Sequence, residues 1–259
     1  MCKGRMDLNF EGKKVLVTGA SRGIGRAVAS AFAASGGRVA VNFRENEESA
    51  TETLRALDGS GHMLVKADVS IPEGARAAVD NTVAGLNGLD IVINNAGIFE
   101  EHRVDAIHFD EWHKIWQKTI AVNLTGPANI CYFAAQHMIA NGGGRIVNVS
   151  SRGAFRGEPH SPAYGASKAG VNALSQSLAV ALAPHNIFVG VVAPGFVETD
   201  MAADLLSMPE GDAIRAQSPL GRVARPDEVA STVLFLASDG TEFTTGAIID
   251  VNGASYLRS

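Results

Sequence analysis

Only two of the 259 residues are cysteine, Cys2 and Cys131. That excludes a disulfide-built scaffold and a cysteine-ligated metal site, and it fits a reducing compartment. The seven histidines are scattered, without a His-x-x-x-His pair, so no metal site is expected. Basic charge is short as well: 22 Lys and Arg stand against 27 Asp and Glu, a net charge of −5. With a pI near 5.8, neither nucleic acid nor an anionic membrane is expected as a partner. Long apolar runs are missing: no stretch approaches about 18 uninterrupted apolar residues, and Met1 to Phe10 holds none of signal-peptide length. The chain is therefore read as cytoplasmic. No proline-rich linker, charge block or repeat divides it, so residues 1–259 are taken as one domain.

What is present alternates. Lys14 to Val17 is a valine-rich run, followed by glycines and an alanine-rich helical stretch from Ile24 to Ser35. The unit recurs at Val39 to Val41 with Glu47 to Leu57, at Met63 to Val65 with Pro72 to Leu86, and at Ile91 to Ile93 with a long helical stretch from Asp110. Three further strands are expected at Arg145 to Val149, Ile187 to Val192 and Ala247 to Val251, the last two separated by a helix over Pro226 to Ser238. Apolar strands without alternation, separated by helices, predict an α/β fold. It is a single Rossmann-like doubly wound domain, a parallel sheet of about seven strands with helices on both faces. Ser70-Ile-Pro-Glu73 has the composition of a capping box for the third helix. Gly195 to Arg225 is too long for an ordinary connection and is expected to be a substrate-binding loop or lid.

Two stretches carry chemistry. Thr18-Gly-Ala-Ser-Arg-Gly-Ile-Gly25 follows a strand and opens a helix, where free amides and the helix dipole favour a pyrophosphate. Tyr164 and Lys168 stand four apart, hence on one helix face about 6 Å apart at Cβ. Bringing a tyrosine into use near neutral pH takes roughly 3 pKa units, about 4 kcal/mol. One lysine about 4 Å away at an effective dielectric of about 20 supplies a Coulomb energy of that size. Trp112 and Trp116, also four apart, are expected to pack as one helix face.

These stretches, with Asp68-Val69, Asn94-Asn-Ala-Gly97, Asn123, Ser151 and Pro194-Gly-Phe-Val-Glu-Thr199 in that order, resemble the short-chain dehydrogenase/reductase family from about Phe10 to Tyr256. The resemblance implies hydride transfer between a nicotinamide cofactor and a carbonyl or secondary alcohol. It gives Ser151 the substrate oxygen, Tyr164 the proton, and Lys168 the ribose together with a lowering of the tyrosine pKa. Asn123 would complete a proton relay through water. For the cofactor it implies Gly19, Ser21, Arg22, Gly23, Ile24 and Gly25 at the phosphates, Asp68 and Val69 at adenine, and Asn95, Ala96 and Gly97 beside it. Pro194, Gly195, Val197 and Thr199 would stand at the nicotinamide. The end of the second strand reads Asn42-Phe43-Arg44, without the carboxylate an NAD enzyme offers the ribose, so Arg44 and Arg22 are expected to clamp a 2′-phosphate. NADP(H) is the expected cofactor, and Glu45 or Glu47 reaching the ribose of NAD(H) is the alternative.

Within the family, the motifs resemble most the 3-oxoacyl-carrier-protein reductases. There, basic side chains nine residues before the serine and twenty-one after the tyrosine serve an acidic carrier protein; here those positions are Gly142 and His185. The expectation is a free ketone, keto ester or sugar-like carbonyl rather than a carrier-bound chain. Arg152 and Arg156 either hold a substrate carboxylate or face solvent. Gly190 stands where many relatives have asparagine, and the stretch before Asn123 is longer than usual by about a helical turn. Relatives commonly pair the helices through Asn123 and after Tyr164, so a homotetramer is expected. The competing class is a catalytically silent nucleotide-binding regulator, against which intact Ser151, Tyr164 and Lys168 weigh.

Overall fold

The computed structural model describes residues 8–199, 206–208 and 210–258. Seven parallel strands form one sheet: β1 (Lys14–Val17), β2 (Arg38–Phe43), β3 (Met63–Lys66), β4 (Ile91–Asn94), β5 (Gly144–Val149), β6 (Ile187–Pro194) and β7 (Ile248–Val251). Their order is β3-β2-β1-β4-β5-β6-β7, so the winding direction reverses between β1 and β4. A reversal of this kind opens a crevice at the carboxyl ends of the two strands, the usual ligand position in such sheets. β1 registers Leu16 against Ala40 of β2 and Val92 of β4. Val15 and Val17 enter the core on one face while Leu16 enters the core on the other, as the two-residue period of a strand requires.

Helices cover both faces. On one lie α1 (Gly23–Ala34), α2 (Glu47–Arg55) and α9 (Pro226–Ala237), with Phe32, Ala50 and Val233 in the core. On the other lie α3 (Pro72–Leu86), α5 (Gly126–Ala140) and α7 (Pro162–Leu182), with Val79, Ile130 and Leu182 in the core. The short helix α6 (Gly153–Arg156) links β5 to α7, and α8 (Glu210–Arg215) lies within the expected lid. Among the described residues no helix is long and apolar enough to cross a membrane.

Three local expectations meet different outcomes. The capping box at Ser70 does not form: α3 has Ile71 at its N-cap with no side-chain bond, and Pro72 in its first turn. Ser70 instead gives both its N–H and its hydroxyl to Asp68 Oδ1, at 2.9 and 2.6 Å, because the nearer carboxylate competes successfully for the serine. Gly190 admits Leu236 of α9 onto the sheet; a Cβ there would stand 3.0 Å from Leu236 Cδ1. Trp112 and Trp116 stack at 5.0 Å and 24° on α4 (Phe109–Ile120), which carries both.

Candidate active site

The glycine turn is fixed from beneath by side chains that bond its main chain. Thr18 Oγ1 donates to Ile93 O and accepts the N–H groups of Asn95 and Ala96, both at 3.0 Å, tying the end of β1 to the segment after β4. Asn95 Nδ2 returns to Thr18 O and Gly19 O at 3.0 and 3.1 Å. The two segments lie so close that a Cβ on Gly19 would come 2.8 Å from Ala96 Cα, and one on Gly25 2.5 Å from Asn95 Nδ2. Gly19 and Gly23 also hold positive φ, 62° and 55°, which glycine adopts without steric cost. Opposite them, Gly23 faces Thr199: an added Cβ would be 3.2 Å from its methyl.

Sequence reasoning missed two side chains here. Arg26 bonds Ser21 O through Nη2 at 2.8 Å and Thr53 Oγ1 through Nε at 2.9 Å, strapping the turn to α2. Asn42 is buried, accepts Gly19 N–H at 3.3 Å, and donates to Val65 O and Ala67 O. It thus connects the glycine turn with the end of β3 beside Asp68 and Val69. Arg22 is exposed at the N-cap of α1, and Arg44 is exposed and paired with Glu45 at 2.9 Å.

The second cluster lies where β5 and α7 meet. Ser150 Oγ donates to Lys168 O at 3.2 Å, and Lys168 Nζ donates to Val149 O at 2.9 Å. Lys168 is 5% exposed, and burial pulls its ammonium down from 10.5 to about 8. Tyr164 lies one turn earlier, with Lys168 Nζ 5.7 Å from its ring centroid. The expectation that the lysine depresses the tyrosine pKa is corrected: burial pushes the phenol up, the Ser151 hydroxyl acts downward and Glu158 upward. Lys168 Nζ is turned to Val149 O and stands beside the Tyr164 ring, and no lysine contribution offsets the burial of the phenol.

Ser151 Oγ accepts Gly153 N–H at 3.0 Å, which fixes the oxygen. Phe99 packs edge-on against Tyr164 at 5.1 Å and forms a wall beside it. The loop carrying Phe99 is held by His102, a further residue the sequence did not reveal: its Nε2 accepts Ala163 N–H at 3.0 Å and its Nδ1 donates to Glu100 O at 2.8 Å. One histidine among the five between Asn95 and Tyr164 gives no sequence signal for this.

Asn123 sits in a wide π-helical turn, Ala121–Thr125, between α4 and α5. Pro127 explains the widening, since it has no N–H for Asn123 O and its ring would collide with that carbonyl in a regular helix. The Asn123 side chain brackets Ile98, accepting its N–H and donating to its carbonyl, both at 2.9 Å, and its Nδ2 also donates to Ser167 Oγ at 3.3 Å. Gly97 keeps the space between the clusters open; a Cβ there would lie 3.5 Å from both Asn123 Oδ1 and Lys168 Nζ.

The remaining expected residues occupy the far side of the crevice. Pro194 O accepts Arg152 N–H at 2.8 Å, and Gly195 N–H donates to Val251 O at 3.0 Å. Val197 pairs with Ala224, so the two roots of the 195–225 loop meet; residues 200–205 and 209 of that loop lie outside the described residues. Arg152 neither faces solvent nor stands free: it is 3% exposed and donates to Ser255 Oγ and Gln217 Oε1 at 2.7 and 2.6 Å. Gly142 and His185 are exposed at the amino ends of β5 and β6, a strand's length from Ser151.

A family described as enoyl-(acyl carrier protein) reductase matches residues 19–254. The 3-oxoacyl-[acyl-carrier-protein] reductase of Aquifex aeolicus is 36% identical over 97% of this chain and 100% of its own. The 3beta-hydroxysteroid dehydrogenase 1 of Eggerthella lenta is 38% identical over 96% of this chain and 95% of its own. Among solved structures, a putative short-chain alcohol dehydrogenase from Sinorhizobium meliloti superposes with a TM-score of 0.89 at 31% identity, covering 96% of this chain and 98% of that one. The chain belongs to the short-chain dehydrogenase/reductase family and is an NAD(P)-dependent oxidoreductase of CH–OH or carbonyl groups.

Proposed function

We propose that this short-chain dehydrogenase/reductase uses NADP(H) to interconvert a free ketone, keto ester or sugar-like carbonyl and its secondary alcohol. The observation that carries the reading is the buried junction of β5 and α7, where Ser151, Tyr164 and Lys168 converge across from the gap that Gly97 keeps open. A nicotinamide cofactor fits this crevice: glycines line its phosphate end, and Lys168 has donors left over after Val149 O. When bound, the nicotinamide supplies or accepts the hydride.

The chain's own residues do the rest. Ser151, its oxygen fixed by Gly153 N–H, donates to the substrate oxygen. Tyr164 delivers a proton to that oxygen in reduction and removes it in oxidation; a phenol held up by burial stays protonated at neutral pH and favours reduction there. Lys168 holds the ribose. The main-chain carbonyl of Asn123, denied a regular helical partner by Pro127, offers the water-relay position that its side chain does not. Asp68 and Val69 frame the adenine beyond Asn42, while Asn95, Ala96, Pro194, Gly195, Val197 and Thr199 line the two walls.

Two features support NADP(H). Asn42, next to last in β2, is committed to the turn, and Glu45 is paired with Arg44. Arg22 and Arg44 are both exposed, and the Arg44 guanidinium, paired with Glu45 through Nε, keeps its Nη groups for a 2′-phosphate. Gly142 and His185 give no fixed cation to an acidic carrier protein, and within one subunit they stand at the end of the sheet remote from Ser151. Exposed Tyr132, Ile139 and Val180 on α5 and α7 support burial against further copies, as in a cytoplasmic homotetramer. The 195–225 loop is the lid over the substrate.

The test is a matched NADPH assay of acetoacetyl carrier protein, acetoacetyl esters and free ketones, with Tyr164→Phe as control. Free carbonyl compounds are expected to turn over with the higher specificity, and Tyr164→Phe to lose at least about a hundredfold in kcat with cofactor affinity retained. A carrier-protein preference above about tenfold, roughly 1.4 kcal/mol, assigns the enzyme to fatty-acid synthesis instead.

A further inference from the structure

Behind the Pro194–Val197 segment lies a cavity of about 210 Å³, room for about seven water volumes of about 30 Å³ each. It does not include Ser151, Tyr164, Lys168 or Asn123 in its lining. Its floor is the Arg152 guanidinium, whose backbone follows the catalytic serine but whose side chain turns under β6 to face the lid root and the C-terminal segment. Phe196, Ile214, Leu220 and Val251 supply apolar walls.

Among the described residues, the charge of this cavity is unbalanced. Arg222 is neutralised by Glu228, which takes both of its Nη groups at 2.7 Å. Arg152 has neutral partners, the Ser255 hydroxyl and the Gln217 amide oxygen, and the Phe196 ring 4.9 Å from its Cζ. Among the described residues no carboxylate lies within ion-pair distance of it. Glu158, the acid that acts on it from further off, faces Arg156 at 3.9 Å. Among the described residues, counting the guanidinium groups at 152, 156 and 222 against the carboxylates at 158 and 228 leaves one positive charge. Two of five donors on Arg152 are occupied, so the group can still bond an anion. A cation this buried is costly without a counter-charge.

We propose that this cavity is a binding site for a small organic carboxylate, its carboxyl on Arg152 and its apolar body against Phe196, Ile214 and Leu220. One negative charge with a short hydrocarbon body matches both the charge excess and the volume. Because Gln217, Ser218 and Leu220 belong to the 195–225 loop and Ser255 to the C-terminal segment, an occupant joins the two and steadies the lid root from outside the reacting atoms. The site stands independently of the substrate and cofactor assigned above, because its readout is binding alone.

Thermal melting at constant ionic strength tests it, with sodium acetate, hexanoate and benzoate against sodium chloride, and hexylamine as the cationic control. Wild type is expected to gain about 3 °C in hexanoate or benzoate, with a smaller gain in acetate and none in hexylamine. Arg152→Met should lose that gain. If Arg152→Met fails to fold, Leu220→Trp decides, since it fills the cavity and leaves the guanidinium in place; it too should show no gain. Tyr164→Phe should keep the gain in full. No gain in wild type beyond chloride, an equal gain in Leu220→Trp, or a gain abolished by Tyr164→Phe overturns the proposal, the last by moving the ligand to the reacting atoms.

Discussion

Around the glycine turn the fixing contacts end on main chain: Thr18 and Asn95 bond each other's backbone, Arg26 bonds Ser21 O, and Asn42 bonds Gly19 N–H. Around the lid root the backbone bridge of Val197 and Ala224 is joined by bonds between side chains, with Arg152 meeting Gln217 and Ser255 at sequence separations of 65 and 103. The first kind constrains backbone shape and allows little substitution. The second fixes side chains in a wall that is free to vary. A nicotinamide phosphate end, the same in every reaction of the family, suits the first; a substrate wall suits the second.

The largest expected effect tests that contrast with one substitution made in both regions. A Cβ at position 25 would meet Gly19 O, Asn95 Nδ2 and Ala20 Cα together, all tied into the turn. Gly25→Ala should cost about 3 kcal/mol of stability and at least about thirtyfold in cofactor affinity. Gly221 in the lid root has φ of +65° and nothing within 4 Å of a Cβ. Gly221→Ala meets only the backbone cost, about 1 kcal/mol, and should leave cofactor affinity unchanged. Denaturant melts and cofactor titration of the pair read both quantities, and equal losses in the two variants would erase the distinction.

This contrast also explains what was legible in the sequence. Strand and helix order, the glycine turn and the Tyr164–Lys168 spacing follow local rules of period and backbone freedom, and they stand where expected. Arg152 was equally visible as a letter, yet its burial depends on Ser255 and Gln217, which only the closed sheet brings near. Arg26 and His102 escaped for the same reason. Ser70 misled because Ser-x-x-Glu was scored without its neighbour Asp68, which outcompetes the helix end. The tyrosine pKa misled because charge separation was counted without burial or the pull of Val149 O on Lys168.

Lys168 belongs to the backbone-anchored region, and its effect on stability should have the opposite sign from that of Gly25. Burial lowers its pKa from 10.5 to about 8, so below pH 8 the folded chain carries a buried charge that the unfolded chain carries in water. The penalty is about 3 kcal/mol from the shift, and it disappears as pH rises from about 8 to 10.5, where the unfolded chain binds the extra proton. Lys168→Met removes the penalty but leaves Val149 O unpaired, for a net gain near 2 kcal/mol at pH 7. The variant should be inactive yet melt higher than wild type at pH 7, with the gap closing toward pH 10. A variant that melts lower at pH 7 would mean that the ammonium stabilises the fold.

The smallest effect is expected at His102, which joins the two kinds of contact: a buried side chain bonded to main chain across 61 residues. Its Nε2 accepts Ala163 N–H at the start of α7, its Nδ1 donates to Glu100 O, and its own N–H bonds His160 O at 2.8 Å. The imidazole thereby ties the loop of Phe99 to the helix of Tyr164. Glutamine at this position retains an acceptor for Ala163 N–H through its amide oxygen, but its reach does not cover Glu100 O at the same time. His102→Gln should therefore lose about 1 kcal/mol of stability or less, and about threefold in kcat, with cofactor affinity unchanged. Cofactor titration beside steady-state kinetics separates the cases, because a residue that supports the fold at large would move both quantities. If affinity falls as far as kcat, His102 serves the crevice as a whole and does not specifically position Tyr164.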